Sequence, residues 1–174
     1  MDTKAGDTKA GDRPFMRPNE DAHAGIGCAM RVHTAIGSGA LESAVSLCML
    51  HEMRGAALYV DDQPLITLTY RHIKVHGAYR ADFIVEKCLI VEIKCVQILL
   101  PVHRSQLLTY LKATGLTLGL LLNFNVPHMR DGIHRVINGR ESDLSTAPTM
   151  VSLCVLCSPL CSFVRREPSN RLHR

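Results

Sequence analysis

One segment constrains this chain more than any other: Cys88-Leu-Ile-Val-Glu-Ile-Lys-Cys-Val96 is apolar on both faces except at Glu92 and Lys94. A short run rich in β-branched residues reads as a strand covered on both sides. Residues two apart on a strand point the same way, so the Glu92 carboxylate and the Lys94 ammonium face one place. A buried charge left without a partner is strongly destabilising. Something must compensate these two, and the plain reading of an isolated Glu-x-Lys is an ion pair at a strand end.

The preceding apolar run, Tyr79-Arg-Ala-Asp-Phe-Ile-Val85, carries an interruption of the same kind at Asp82. Adjacent strands lie about 4.8 Å apart, so Asp82 can reach Glu92 across the sheet. Two carboxylates that close repel, and one takes up a proton unless a cation lies between them. Oxygen donors of this type suit Mg²⁺ or Mn²⁺, which retain waters and leave room for a phosphate. The corresponding chemistry is phosphodiester hydrolysis, in which the metal acidifies a water and offsets charge on the phosphoryl oxygens. Lys94 would orient or help deprotonate that water, or stabilise the same charge.

The rest of the chain supplies elements around this pair. A tandem Asp-Thr-Lys-Ala-Gly repeat opens the sequence, and residues 1–21 are expected to be disordered because they lack an apolar face. Helical spacing predicts one helix over Ala22–Ile36, closed by Gly37, and a second from about Gly39 to Arg54, with Ser38 as N-cap and Gly55 as the stop. Strands are expected at Leu65–Tyr70, Tyr79–Val85 and Cys88–Val96. Pro101 suits the first position of a helix ending at Gly115, Leu118–Phe124 reads as a strand buried on both faces, and Ile133–Ile137 as a last short strand. This order predicts an α/β domain over residues 22–139, a sheet covered by helices.

With the pattern Asp82 followed by Glu92-Ile93-Lys94 on the next strand, the chain resembles the PD-(D/E)xK nuclease superfamily, and within it the bacterial GxxExxY protein family. The likeness also takes in Gly39 with Leu41-Glu42-Ser43, His51-Glu52, Gln63-Pro64-Leu65, Gln106 through Leu116, Gly119 through Phe124 and Gly132 through Val136. The resemblance implies a restriction-endonuclease-like α-β-β-β-α-β core with a central mixed sheet flanked by helices. It implies that Glu42, from the helix before the sheet, joins Asp82 and Glu92 around the metal, with the backbone carbonyl of Ile93 as a further ligand. Without it, Glu42 would read as a solvated surface residue. The tyrosine ending the name motif is Val45 here.

Gln106 and Tyr110 are four apart on the predicted helix, hence on one face, with His103 a turn earlier and the leucines opposite. Their spacing resembles the Q-x-x-x-Y motif of the recombination-exonuclease branch, which implies substrate positioning; a boundary polar stripe is the alternative. The resemblance thus implies a metal-dependent nuclease acting on nucleic acid, DNA ahead of RNA, with Asp82, Glu92 and Lys94 as its catalytic residues. A catalytically inactive module that binds nucleic acid or protein is the other reading. Endo- and exonucleolytic action both fit.

Composition is permissive. A net charge of +4 and a pI near 8.7 allow a nucleic-acid partner without demanding one. Seven cysteines, an odd number, four of them inside apolar segments, fit a reducing, cytoplasmic setting better than a disulfide framework. No apolar run reaches the roughly 18 residues of a membrane span, which excludes a membrane partner from the expectation. Cys154, Cys157 and Cys161 lack a fourth ligand at regular spacing and read as incidental cysteines of a poorly structured tail over residues 140–174.

Overall fold

The computed structural model describes residues 17–140. The repeat, the cysteine trio and most of the expected tail lie outside them. Two helices come first, α1 (Pro18–Ile36) and α2 (Glu42–Gly55). They are followed by β1 (Val60–Asp62), β2 (Leu65–Tyr70), β3 (Ile73–Arg80), β4 (Phe83–Val85), β5 (Leu89–Lys94), α3 (Pro101–Thr114), β6 (Leu118–Asn123), a 3₁₀ turn (Met129–Gly132) and β7 (Ile133–Ile137).

Five strands form one mixed sheet in the order β1-β4-β5-β6-β7, in which β5 and β6 are parallel and the other neighbours antiparallel. α3 supplies the crossover that a parallel pair requires. The remaining strands, β2 and β3, form a separate hairpin. Strand alternation divides the core into two layers. On one face Phe83, Val85, Leu89, Val91, Ile93, Leu118, Leu120 and Leu122 pack against Cys28, Ala29 and Val32 of α1 and Val45, Met49 and Met53 of α2. On the other, Ile84, Ile90, Leu121 and Val136 pack against Leu107, Tyr110 and Leu111 of α3, with Ile66 from the hairpin base. α3 lies close over the sheet at Gly119, where a Cβ would stand 2.9 Å from Leu107 Cδ1.

Sequence and structure part in four places. α1 begins at Pro18, inside the segment expected to be disordered, because Pro18 fits the first helical turn and Glu20 and Asp21 complement the helix dipole there. α2 starts at Glu42 with Leu41 as its N-cap and no side-chain cap, so Ser38 does not cap it; Gly37 and Gly39, both at positive φ, lie in the connection before it. The expected strand Tyr79–Val85 is two strands broken at Ala81-Asp82, its first part belonging to the hairpin. β1 has no counterpart among the expected elements.

Candidate active site

The break in the expected strand decides where the first acid stands. β4 pairs with β5 through Phe83–Val91, so Asp82, one residue before β4, comes level with Glu92 at the end of the ladder. The backbone there is held from the other side by Gln63, whose N–H donates to the Asp82 carbonyl at 2.9 Å. Asp82 Oδ2 accepts a 2.7 Å hydrogen bond from the Ile93 N–H. Asp82 follows the alternation of Ile84, and Glu92 that of Ile90, so both carboxylates emerge on the α3 side of the sheet.

Glu92 is almost wholly buried. Its Oε1 accepts from Lys94 Nζ at 2.9 Å, and the two side chains are only 4% and 13% exposed. Its Oε2 is buried and has no hydrogen-bond partner among the described residues. Lys94 Nζ also donates to the Ile93 carbonyl at 2.8 Å and lies 3.9 Å from Glu42 Oε1. Glu42, at the first position of α2 on the opposite face, reaches round the end of β5, and its Oε2 accepts from Cys95 N–H at 3.3 Å.

Four of the expected residues, Glu42, Asp82, Glu92 and Lys94, therefore meet at one end of β5. Their arrangement differs from the expected cage in one respect: the Lys94 ammonium stands among the oxygens, bonded to Glu92 and to the same Ile93 carbonyl expected as a ligand. Correspondingly, among the described residues no group of three or more His, Cys, Asp or Glu side chains is gathered so as to hold a metal ion.

The protonation equilibria reflect this crowding. Burial raises the Asp82 carboxyl above the usual carboxylate range, opposed by the Ile93 N–H and Lys94. Burial also raises Glu92; the nearby Asp82 charge adds to it and Lys94 opposes it. For Lys94 burial acts downward, and the carboxylates, Glu92 foremost, outweigh it and hold the ammonium above its ordinary value. One cation thus offsets part of the repulsion among three acids.

α3 brings the expected positioning pair to the same side. Gln106 Nε2 donates to Tyr110 Oη at 2.6 Å, and the Tyr110 ring packs against Tyr79 with centroids 5.5 Å apart. Burial raises the Tyr110 hydroxyl pKa, and the field of Glu92 reaches it. His103 does not extend this stripe: its Nδ1 accepts from Leu100 N–H at 3.2 Å and caps the start of α3. Val45, which stands where the GxxExxY pattern has tyrosine, lies on the core side of α2 and is fully buried.

Asn123 was not singled out in the sequence. It pairs with Lys94 in the β5–β6 register and is 3% exposed. Its side chain accepts from Val96 N–H at 3.1 Å and donates to the Val96 carbonyl at 2.9 Å, pinning the chain just beyond Lys94. The available signal is a single amide within the otherwise apolar run Leu118–Phe124.

A family model described as the PD-(D/E)XK nuclease superfamily matches residues 19–136, which span α1 to β7 and every residue of the site. No curated protein and no solved structure gave a match.

Proposed function

The chain belongs to the PD-(D/E)XK nuclease superfamily, and from that premise we propose that it hydrolyses phosphodiester bonds in DNA with the help of Mg²⁺ or Mn²⁺. Its mixed five-stranded sheet between helices is the restriction-endonuclease-like α/β fold. The observation that carries the reading is Glu92: a carboxylate sealed in the core with one oxygen on Lys94 and the other on no group among the described residues. A buried acceptor without a partner costs roughly 1–3 kcal/mol, more when charged, and an oxygen held this way fits the role of a cation ligand.

Asp82, Glu92 and Glu42, with the Ile93 carbonyl, would hold the ion; all are oxygen donors of the kind Mg²⁺ and Mn²⁺ take. When bound, such an ion acidifies a water and offsets charge at phosphorus. Lys94 brings a compact positive charge to the phosphoryl oxygens and to the attacking water. Tyr110, whose oxygen already accepts from Gln106, keeps its own O–H to donate to a phosphate oxygen. The packing of Tyr110 against Tyr79 holds that hydroxyl in place.

The test is cleavage of supercoiled and linear DNA by the full chain with Mg²⁺ or Mn²⁺, beside Asp82→Ala and Lys94→Ala. Cleavage by the wild type and its loss in both variants is expected; equal activity in all three overturns the proposal. A second reading, a DNA-binding module without cleavage, is favoured by the bond from Lys94 to the Ile93 carbonyl. Calorimetry separates the two, since that module would bind DNA and no Mn²⁺.

A further inference from the structure

The β2–β3 hairpin stands apart from the five-stranded sheet, and only its base is packed. Ile66 joins the core under α3, and Tyr79 packs on it. At its distal end Tyr70, Ile73 and Val75 are exposed, as are all residues from Thr69 to Gly77. Such an arm exposes apolar side chains on a ribbon that a stable monomer has no need to extend.

Its charge is one-sided. Residues 63–81 contain Arg71, Lys74 and Arg80, with His72 and His76, and no Asp or Glu. The Arg71 guanidinium lies 5.4 Å above the Tyr70 ring, which holds it at the tip. Arg71 also has φ 54, at the first position of the two-residue turn between the strands, where hairpins favour glycine. Glu86 and Lys87 turn at positive φ in the same way between β4 and β5, so it is the place of Arg71 at the tip of an exposed arm without acids, not its backbone, that sets it apart.

From these observations we propose that the hairpin is a DNA-docking arm whose two-stranded ribbon enters the major groove of a duplex while Arg71 and Lys74 contact phosphates. This rests on the nuclease reading above for the identity of the substrate. The groove is about 12 Å wide and admits a two-stranded ribbon, whereas the narrow major groove of duplex RNA does not. The six residues of β2 extend about 20 Å. A second copy of the chain fits the arm poorly, since like arms would set cation against cation. The base of the arm is fastened beside the site by Ala81 N–H to the Pro64 carbonyl at 3.2 Å and Gln63 N–H to the Asp82 carbonyl at 2.9 Å. The arm thus springs from beside Asp82, and its tip lies about 20 Å along the ribbon from there.

The experiment is fluorescence anisotropy of a labelled DNA duplex against full-length wild type, Arg71→Gly, Lys74→Ala and the double variant, in chelator, over a salt series. Each lost phosphate contact is expected to make the slope of log affinity against log salt shallower by about 0.9, and the double variant to bind about tenfold more weakly or worse at low salt. Arg71→Gly, which relieves the positive φ, is expected to unfold at or above the wild-type temperature while still losing affinity, a combination that a merely structural role cannot produce. Unchanged affinity and slope overturn the proposal, as does wild type that binds no duplex. An equal loss on single-stranded DNA or duplex RNA removes the groove seat, and a hairpin-dependent dimer in sedimentation assigns the surface to a second copy instead. Wild-type cleavage with Mn²⁺, assayed in parallel, keeps the readings apart. Cleavage with hairpin-independent binding sinks the arm alone; hairpin-dependent binding without cleavage sinks the nuclease alone.

Discussion

Replacing Lys94 with methionine keeps most of the side-chain stem and deletes the ammonium that bridges Glu92 Oε1, 2.9 Å away, and the Ile93 carbonyl, 2.8 Å away. Both members of the Lys94–Glu92 pair are largely out of solvent. Removing one partner of such a pair costs on the order of 3 kcal/mol at pH 8, because the remaining carboxylate is stranded. The cost depends on pH with a definite sign. Glu92 is already raised by burial and by Asp82, and Lys94 is what holds it down; without Lys94 its folded pKa climbs further. The folded variant then binds a proton that the unfolded chain releases above about pH 4.3. Its stability falls as pH rises from there through the folded pKa. The deficit against wild type is therefore smaller at pH 5 than at pH 8. Urea unfolding at both pH values measures it. A loss that does not change with pH, or one below about 1 kcal/mol at pH 8, would show a solvent-screened pair and refute the reasoning.

Three further substitutions probe the same site. Asp82→Asn keeps an acceptor for the Ile93 N–H and removes a carboxylate that burial disfavours. It is expected to raise the urea midpoint at pH 8, to lose that advantage as pH falls toward about 3.9, and to cut cleavage by about 100-fold or more. Asn123→Ala removes the two bonds to Val96 and a third from Asn125 N–H at 3.3 Å. Unfolding should show a loss of about 2–3 kcal/mol, and slower cleavage as the chain beyond Lys94 is released. Tyr110→Phe deletes the hydroxyl that receives Gln106. A stability loss of about 1 kcal/mol should accompany slower turnover with unaltered Mn²⁺ affinity in calorimetry.

What could be read from the sequence was what local chemistry determines. Pro101 and Gly115 bound α3 as expected, the first by its fixed φ and the second by its left-handed conformation. β6 was legible because six consecutive buried positions admit few alternatives. Glu92 and Lys94 were legible because charge in an apolar strand demands an explanation. Other features depended on distant contacts. β1 has three residues, two of them acids, and exists through its antiparallel pairing with β4. No glycine or proline separates Tyr79-Arg80 from Phe83–Val85, and Asp82 reads as one charge within a strand, so the change from hairpin to sheet could not be told from the pattern. The position of Lys94 among the oxygens is set by three elements that meet only in the folded chain: α2, the end of β4 and β5.

Whether Glu42, Asp82 and Glu92 serve one cation can be seen by anomalous diffraction from Mn²⁺-soaked crystals at pH 8. One peak is predicted, about 2.1 Å from carboxylate oxygens of Glu42, Asp82 and Glu92 and from the Ile93 carbonyl, with Lys94 displaced from that carbonyl. No peak there, with Lys94 still bonded to Ile93 at saturating Mn²⁺, would mean that the three acids do not share an ion.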